Sequence, residues 1–486
     1  MDEAQRGARA RVQGMGSLAI RNTALVLTAR VASRLLALVT VIATGNHLGA
    51  DHYGQFQTVV NYTALVAVLV DLGFNTLYVR EGARHPGELS RYLNNVLSSK
   101  ALLALLGLLV LSLALGFNGL GSLIAAGFAL MVLTTYSNLL RNTLYALQNL
   151  TYEAVAIVLE AVVLLGLVIL GIRTHQGVAY FLWAYAGSYA FSCAYFVTVL
   201  GARRMVTFGV RLEWTLIRRW FWSGLPFALT FVITTIYFKI DQPLLYALRP
   251  HAEAGWYGFA YKPFESLLFI PQSMLAVVFP VMSVYYHQAK ERLQPTINLF
   301  FKALVLLGWP LTVGTVVLAH GLNGLLHLYP QSEPALRILA LGIVFMFASN
   351  TFIAALNAID RQVLFTWAAA ASMVVNVALN AALIPFYGYI GSSWATVVTE
   401  VVLLAAAYVM VGRELYRAPL HRLAWKPLLA GLVMGGAIWP FHQATGWTTL
   451  LVILLGGAVY LAAAFLLRAL DPPELALARS ALRRDA

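Results

Sequence analysis

The sequence predicts an all-α polytopic membrane protein of about 14 transmembrane helices, built as two pseudo-symmetric six-helix lobes plus two C-terminal helices. Three observations carry this. Of 486 residues, 60% are hydrophobic and 11% charged, where a soluble domain has about 25% charged, and mean hydropathy is +0.75. The apolar residues gather into long runs, each near or above the roughly 20 residues that a spanning helix needs. Lysines and arginines concentrate in alternate connections between the runs. Runs of this length without strict alternation exclude barrel strands. The composition excludes a soluble enzyme, a nucleic-acid binder and a disordered scaffold. The formal net charge of +13 then reads as a cytoplasmic face marked by basic residues, with no nucleic-acid partner.

The elements follow in order. Residues 1–16 form a basic cytoplasmic N-terminus with Arg6, Arg9 and Arg11. The first run, 17–45, carries Arg21, Arg30 and Arg34 and is too long for a secretory signal, so it reads as a retained segment. The second run, 53–82, ends at an inner connection holding Arg84 and Arg91. Runs 94–116 and 119–147 cross out and back; run 151–172 ends outside at Arg173, and 178–200 closes the N-lobe, 17–200. The cytoplasmic linker at 201–219, with Arg203, Arg204 and Arg211, is the longest connection. The C-lobe, 220–412, holds runs 220–248, 255–287, 295–319, 333–358, 361–384 and 388–412. Its inner connections carry Lys290, Arg292 and Arg361, and its first outer turn Arg249. Arg413, Arg417, Arg422 and Lys426 mark the inner entry to the last two runs, 424–443 and 446–468. A cytoplasmic tail, 469–486, ends on Arg479, Arg483 and Arg484. The asymmetry places both termini in the cytoplasm. No connection is long enough to fold as a domain. The single cysteine, Cys193, excludes an intramolecular disulfide.

An internal repeat supports the two lobes. LGADHYGQF at 48–56 is similar to AEAGWYGFA at 252–260, and LYALQ at 144–148 to LNAID at 356–360. GVAYFLWAY from Gly177 pairs more weakly with GSSWATVVT from Gly391. Repeated halves are a transporter signature, with the substrate site expected where they meet. The stretch VASRLLALVTVIATGNHLGADHYGQF, with LVDLGFNTLYVREGA at 69–83, resembles the polysaccharide biosynthesis (Wzx-type) flippases. These belong to the multidrug/oligosaccharidyl-lipid/polysaccharide (MOP) exporter superfamily. The resemblance implies a flippase of the bacterial inner membrane. It would move a polyprenyl-diphosphate-linked oligosaccharide, such as an O-antigen, capsule or exopolysaccharide unit, to the outer leaflet by alternating access. Membrane lipids, a polysaccharide polymerase and chain-length proteins are the implied partners. A lipid II flippase and a multidrug/cation antiporter of the same superfamily are the neighbouring readings. A membrane glycosyltransferase or polymer ligase is a distant one, since no large outer loop is available for catalysis. No P-loop, nucleophile elbow or histidine-based metal spacing is present. The expectation is therefore no enzyme, no cofactor, and no metal beyond a coupling Na+, with H+ as the other candidate.

Charges inside a bilayer mark candidate sites. Arg30 and Arg34 lie four apart, on one face of the first helix. Guanidinium groups suit a passing diphosphate. Asp71 lies at the depth of Arg30 and is available to neutralise one arginine. Arg141 on the fourth helix shares a polar face with Ser137, Asn138 and Asn142, suited to phosphate or glycan; its alternative is a headgroup-level arginine. Arg80, beside Glu81, is either a substrate contact or an interfacial pair, and Lys100 on the third helix is a further candidate cavity charge. Glu153 and Glu160, seven apart, are available to pair with Arg141, and Glu160 to titrate.

The second half offers a different constellation. Asp241, Asn376, Asn380 and Thr396 are expected at one depth, roughly 10 Å from the outer edge at ~1.5 Å per residue. One carboxylate among neutral oxygens suits a hard alkali cation. The set resembles the sodium site of the lipid II flippase branch, which implies Asp241, Asn376, Asn380, the Ser392 carbonyl and Thr396 as ligands. Here Asn380 stands where that branch can carry a second acid. Lys262 is a candidate substrate contact and also the alternative partner of Asp241, with Glu265 competing for it. Lys239 faces away from Asp241 and is a second candidate for substrate contact, and Glu400 a second candidate for protonation.

Overall fold

The computed structural model describes the backbone of residues 2–469 and the side chains of residues 28–469. The basic side chains expected at 1–16, Arg21, and the tail beyond Ala469 lie outside the described residues. All regular structure among the described residues is helical. Packing divides the chain into two compact units. The first joins residues up to His47 with Val59–Thr235; the second joins Leu48–Thr58 with residues from Ile236 on. This partition by packing differs from the one by repeat, because the linker 201–219 falls wholly within the first unit.

The first unit begins with α1 (Asp2–Asp71), which is two helices joined at Gly49. Gly49 has φ +74°, a left-handed conformation that suits glycine alone at little cost. After Gly73 come α2 (Phe74–Arg84), α3 (Leu89–Phe117), α4 (Ile124–Ala146), α5 (Leu150–Arg173), α6 (Val178–Ala202) and α7 (Trp214–Lys239). Helix α4 packs against α2, α3, α5 and α6. Leu77, Tyr78, Leu93, Leu139, Leu144, Phe196, Leu200 and Trp220 share one core. Between α6 and α7 the chain runs as a strap along α3. Ser90 accepts from the Thr207 N–H, Asn94 binds both Thr207 and Gly209, Ser98 accepts from Arg211, and Asn95 accepts from Glu213. The partners on α3 recur every four residues, one helical turn. Arg91 clamps the far end on the Glu213 carboxylate.

The second unit holds α8 (Asp241–Leu248), α9 (His251–Leu267), α10 (Phe269–Gln288), α11 (Lys290–Val317) and the short α12 (Ala319–Leu325). It continues with α13 (Ser332–Ala358), α14 (Gln362–Glu414), α15 (Leu420–Ile438) and α16 (Trp447–Leu466). Helix α13 is its centre and packs against α9, α10, α11 and α14, while α15 and α16 pair beside α11. Lipid supplies no hydrophobic drive between helices, so close packing must hold them. Accordingly Ala335, Ala340, Gly342, Ala348, Ala354 and Ala355 of α13 are buried, and Gly308 of α11 sits against Val344.

Proline and glycine set the breaks. The expected run 220–248 is interrupted between α7 and α8 because Pro243 has no N–H for the Lys239 carbonyl. The expected run 255–287 parts into α9 and α10 just ahead of Pro271 in the same way. Helix α14 is two helices that meet at Gly388, with φ +55°. Glu253 ties that corner, accepting from the Tyr389 N–H at 3.0 Å and from Arg249 at 3.0 Å. Among the described residues ten helical stretches are long and apolar enough to cross a membrane. Two of them, Thr28–Asp71 and Gln362–Glu414, each contain two expected runs. Helices α6 and α15 are less apolar, since α6 carries Tyr180, Tyr185, Tyr189 and Tyr195, and α15 opens on His421, Arg422 and Lys426.

The two copies of the repeated string meet inside the second unit. A Cβ on Gly54 would fall on the His251 carbonyl, and one on Gly255 on the Ala50 carbonyl. Backbone therefore touches backbone, and the Tyr53 ring lies 5.0 Å from that of Phe259.

Candidate functional site

In the first unit, α1, α4, α5 and α6 bring their polar groups into two rungs. Arg30 donates to the Tyr145 hydroxyl at 2.6 Å, and Tyr145 donates to Glu153 at 2.6 Å. Arg30 itself is 3.5 Å from that carboxylate. In the second rung Arg141 donates to Glu160 at 2.8 Å, and Ser192 donates to the same oxygen. The Arg141 guanidinium also lies 5.9 Å from the Phe196 ring centre, a cation–π position. Spacing on the helices explains the order. Arg141 and Tyr145 are one turn apart on α4, and Glu153 and Glu160 two turns apart on α5. Arg34 faces the second rung near Tyr189 and makes no hydrogen bond or ion pair among the described residues. Three guanidinium groups thus face two carboxylates. Ser137 Oγ, Arg141 Nε and Glu153 Oε2 are buried without hydrogen-bond partners.

In the second unit the helix break before Asp241 places that residue at the first turn of α8, where backbone N–H groups favour a carboxylate. Asp241 accepts from Tyr257 at 2.9 Å, Thr396 at 3.0 Å and Asn380 at 2.9 Å. Asn376 reaches the same carboxylate. Asn380 accepts from the Ser392 hydroxyl at 2.8 Å, and the Thr396 hydroxyl oxygen also lies 3.1 Å from the Ser392 carbonyl. All six side chains are buried. One turn further along, Tyr237 donates to Glu400 at 2.8 Å, leaving the other Glu400 oxygen without a partner.

A family model described as polysaccharide biosynthesis protein matches residues 19–286, more than half of the sequence. The chain belongs to the polysaccharide biosynthesis protein family. A second family model, MatE, matches residues 226–382. No curated protein matches the chain by sequence. Among solved structures, the chain is similar to the lipid II flippase MurJ in an inward closed conformation. The TM-score is 0.75 at 15% identity, over 91% of this chain and 98% of that one. It is also similar to an inward-facing multidrug resistance MATE family transporter, at TM-score 0.60 and 15% identity over 84% and 95% of the two chains. A MOP superfamily transporter from Pyrococcus furiosus follows at TM-score 0.55 and 13% identity, over 86% and 95%. At these identities the likeness establishes a shared fold. This member of the polysaccharide biosynthesis family is therefore a multi-pass membrane protein of the MOP architecture.

Several expected partners are corrected by the geometry. Asp71 does not neutralise an arginine: it takes Lys100 at 2.6 Å, with the lysine side chain wholly buried. Helix α3 brings Lys100 to the end of α1, so the nearer cation wins. Lys262 bonds not to Asp241 but to Glu265, at 3.1 Å, and Lys239 shares that acid at 2.6 Å. Arg80 pairs with its neighbour Glu81 at 2.9 Å and lies over Phe227, the interfacial arrangement. Asn138 is half-buried and joins neither rung. Tyr145, Ser192 and Tyr257 were missed. Tyr145 was within reach as the residue one turn beyond Arg141, and Tyr257 sat in the repeated string, where it was read only as a marker of the repeat.

The second cluster fits the coupling cation that the family resemblance implies. Its ligand atoms would be oxygens only: one carboxylate, two amides, three hydroxyls and the Ser392 carbonyl. Hydrogen atoms of Tyr257, Asn380 and Thr396 fill the carboxylate in this arrangement. Asp241, Asn376, Asn380, Thr396 and the Ser392 carbonyl would be the residues to hold such a cation, with Asp241 supplying the negative charge.

Proposed function

We propose that the protein is a flippase that carries a polyprenyl-diphosphate-linked oligosaccharide from the cytoplasmic to the outer leaflet of a bacterial inner membrane by alternating access. Both termini face the cytoplasm, and a cation bound at Asp241 resets the cycle. One observation carries the reading: three arginines against two carboxylates in the α1–α4–α5–α6 cluster, with Arg34 exposed and without an acidic partner among the described residues. An uncompensated guanidinium on an apolar helix is costly in a bilayer and is stabilised by an anion. Phosphate oxygens match its fork. Arg30 and Arg141 stand beside it, each held by a glutamate that a second phosphate oxygen can displace. A multidrug-cation antiporter, which the MatE match would suit, is disfavoured because excess positive charge repels its substrate.

The test is leaflet exchange of a labelled polyprenyl-diphosphate oligosaccharide in liposomes holding the purified protein. Arg34→Ala loses one charge-assisted contact of about 1.5–3 kcal/mol. That is a fall of roughly tenfold to a hundredfold in apparent affinity. Exchange unchanged in Arg30→Ala/Arg34→Ala would move the anion site elsewhere. No exchange by the wild type under any cation gradient would remove the flippase reading.

A further inference from the structure

The strap between α6 and α7 is covered on one edge alone. The N–H groups of Thr207, Gly209, Arg211 and Glu213 point to α3, while those of Phe208, Val210 and Leu212 make no hydrogen bond among the described residues. Phe208, Val210, Leu212 and Trp214, at every second position of the extended chain, hold their side chains exposed, Val210 at 89% and Trp214 at 73%.

Helix α3 shows what lies on that side. Ser90, Asn94 and Ser98, which hold the strap, fall on one stripe at i, i+4 spacing, and the stripe continues through Leu102, Leu106, Leu109 and Leu113. Those four leucines are exposed on a helix long and apolar enough to span, so the stripe faces lipid. Helix α7 repeats the pattern. Its exposed Leu229, Leu225 and Trp222 share a stripe that runs down to the exposed Arg218 and Trp214. The strap thus covers the polar continuation of a lipid-facing stripe, and its open side looks to the same lipid. Two features set its depth. Backbone N–H groups without partners are not tolerated against hydrocarbon. A row of apolar side chains ending on tryptophan is favoured at the headgroup boundary over bulk water. The charge there is one-sided. Arg203, Arg204, Arg211, Arg218 and Arg219 are exposed and form no ion pair with a described residue. Arg203 lies over the Tyr152 ring. The strap's one acid, Glu213, is taken by Arg91, and Arg211 acts on it as a neighbouring charge.

We propose that the strap and the first turns of α7 form a docking surface for anionic phospholipid of the adjoining leaflet. The acyl chain lies on Val210, Leu212 and Trp214. The phosphate oxygens meet Arg211, Arg218 and Arg219, whose fork suits them. A zwitterionic lipid carries its own cation and gains less from this surface. The site is independent of what the protein transports.

The test uses the full chain in phosphatidylcholine nanodiscs. These hold an equal small share of either phosphatidylglycerol or phosphatidylcholine brominated in the upper acyl chain. Bromine quenches the tryptophans it touches, and the wild-type signal minus that of Trp214→Phe/Trp222→Phe isolates the two exposed rings. Brominated phosphatidylglycerol quenches them more than brominated phosphatidylcholine does. Arg211→Gln/Arg218→Gln/Arg219→Gln lowers that preference by up to roughly fivefold per arginine. Salt at about 1 M, which screens exposed charges beyond about 3 Å, lowers it in the wild type. Equal total quenching of the wild type by the two lipids overturns the proposal, whether or not the variants fold. So does a preference that the triple glutamine variant keeps. Rings that neither lipid quenches also overturn it, and show the surface to be covered by a second copy or another protein.

Discussion

Thr396→Val separates a cation site from a network of hydrogen bonds. Valine keeps the shape of threonine and deletes the hydroxyl, which lies 3.0 Å from Asp241 and 3.0 Å from the Tyr257 hydroxyl. A hydrogen bond to a charged group is worth about 1.5–3 kcal/mol, so cation affinity falls roughly tenfold to a hundredfold. Thermal unfolding reads this through ligand linkage. At a sodium concentration ~100 times the dissociation constant, the wild type gains about 2.7 kcal/mol. With affinity down tenfold to a hundredfold, Thr396→Val gains about 1.4 to 0.4 kcal/mol under the same salt. Asp241→Asn, lacking the only charge among the ligands, gains nothing specific to sodium. The assay compares melting of detergent-solubilised protein in sodium and in choline chloride at equal ionic strength. Equal sodium stabilisation in all three proteins, or none in the wild type, would refute the argument. Asp241 would then be a structural hub.

Two further outcomes are expected. Lys100→Met strands Asp71 and costs about 3–5 kcal/mol, whereas Lys100→Met/Asp71→Leu recovers most of it, as removal of both members of a buried pair does. The check is the midpoint of heat-induced loss of the monodisperse peak, and a double variant no better than the single one would show the pair to be more than mutual compensation. The Glu213 carboxyl is held below its ordinary value of 4.5, first by its hydrogen bond from Arg91. A depressed pKa stabilises above the unfolded value and is lost as pH falls through the folded one. Protease resistance of the strap should therefore fall in the wild type as pH drops from above the ordinary value of 4.5 to well below it. Glu213→Gln should show no such acid-dependent drop.

The all-helical membrane class was legible because hydropathy has a length scale that only a bilayer imposes. Helix breaks were less so. Pro243 and Pro271 lie inside runs that stay apolar across them, and periodicity does not register a missing N–H. The ligand-like cluster around Asp241 was legible because helix rise converts sequence distance into depth; Asn380 faces Ser392 as that arithmetic requires. Pairing was not legible. Depth alone let Asp71 choose Arg30, and let Lys262 choose Asp241, because rotation about the helix axis decides which neighbour a side chain meets. Lys100 and Glu265 occupy those rotations instead. The Arg141–Glu160 pair was among the readings open from the sequence, whereas the link from Arg30 through Tyr145 to Glu153 was not, for the same reason.

The strap on α3 has a consequence for synthesis. Ser90, Asn94, Asn95 and Ser98 leave the ribosome more than a hundred residues before Thr207, Gly209, Arg211 and Glu213. Through the insertion of α4, α5 and α6, the first turns of α3 offer amides and hydroxyls whose final partners do not yet exist. Arrival of the strap supplies those partners from residues 206–213, a stretch outside any helix, so the polar face of α3 is completed only when the sixth helix has already been made.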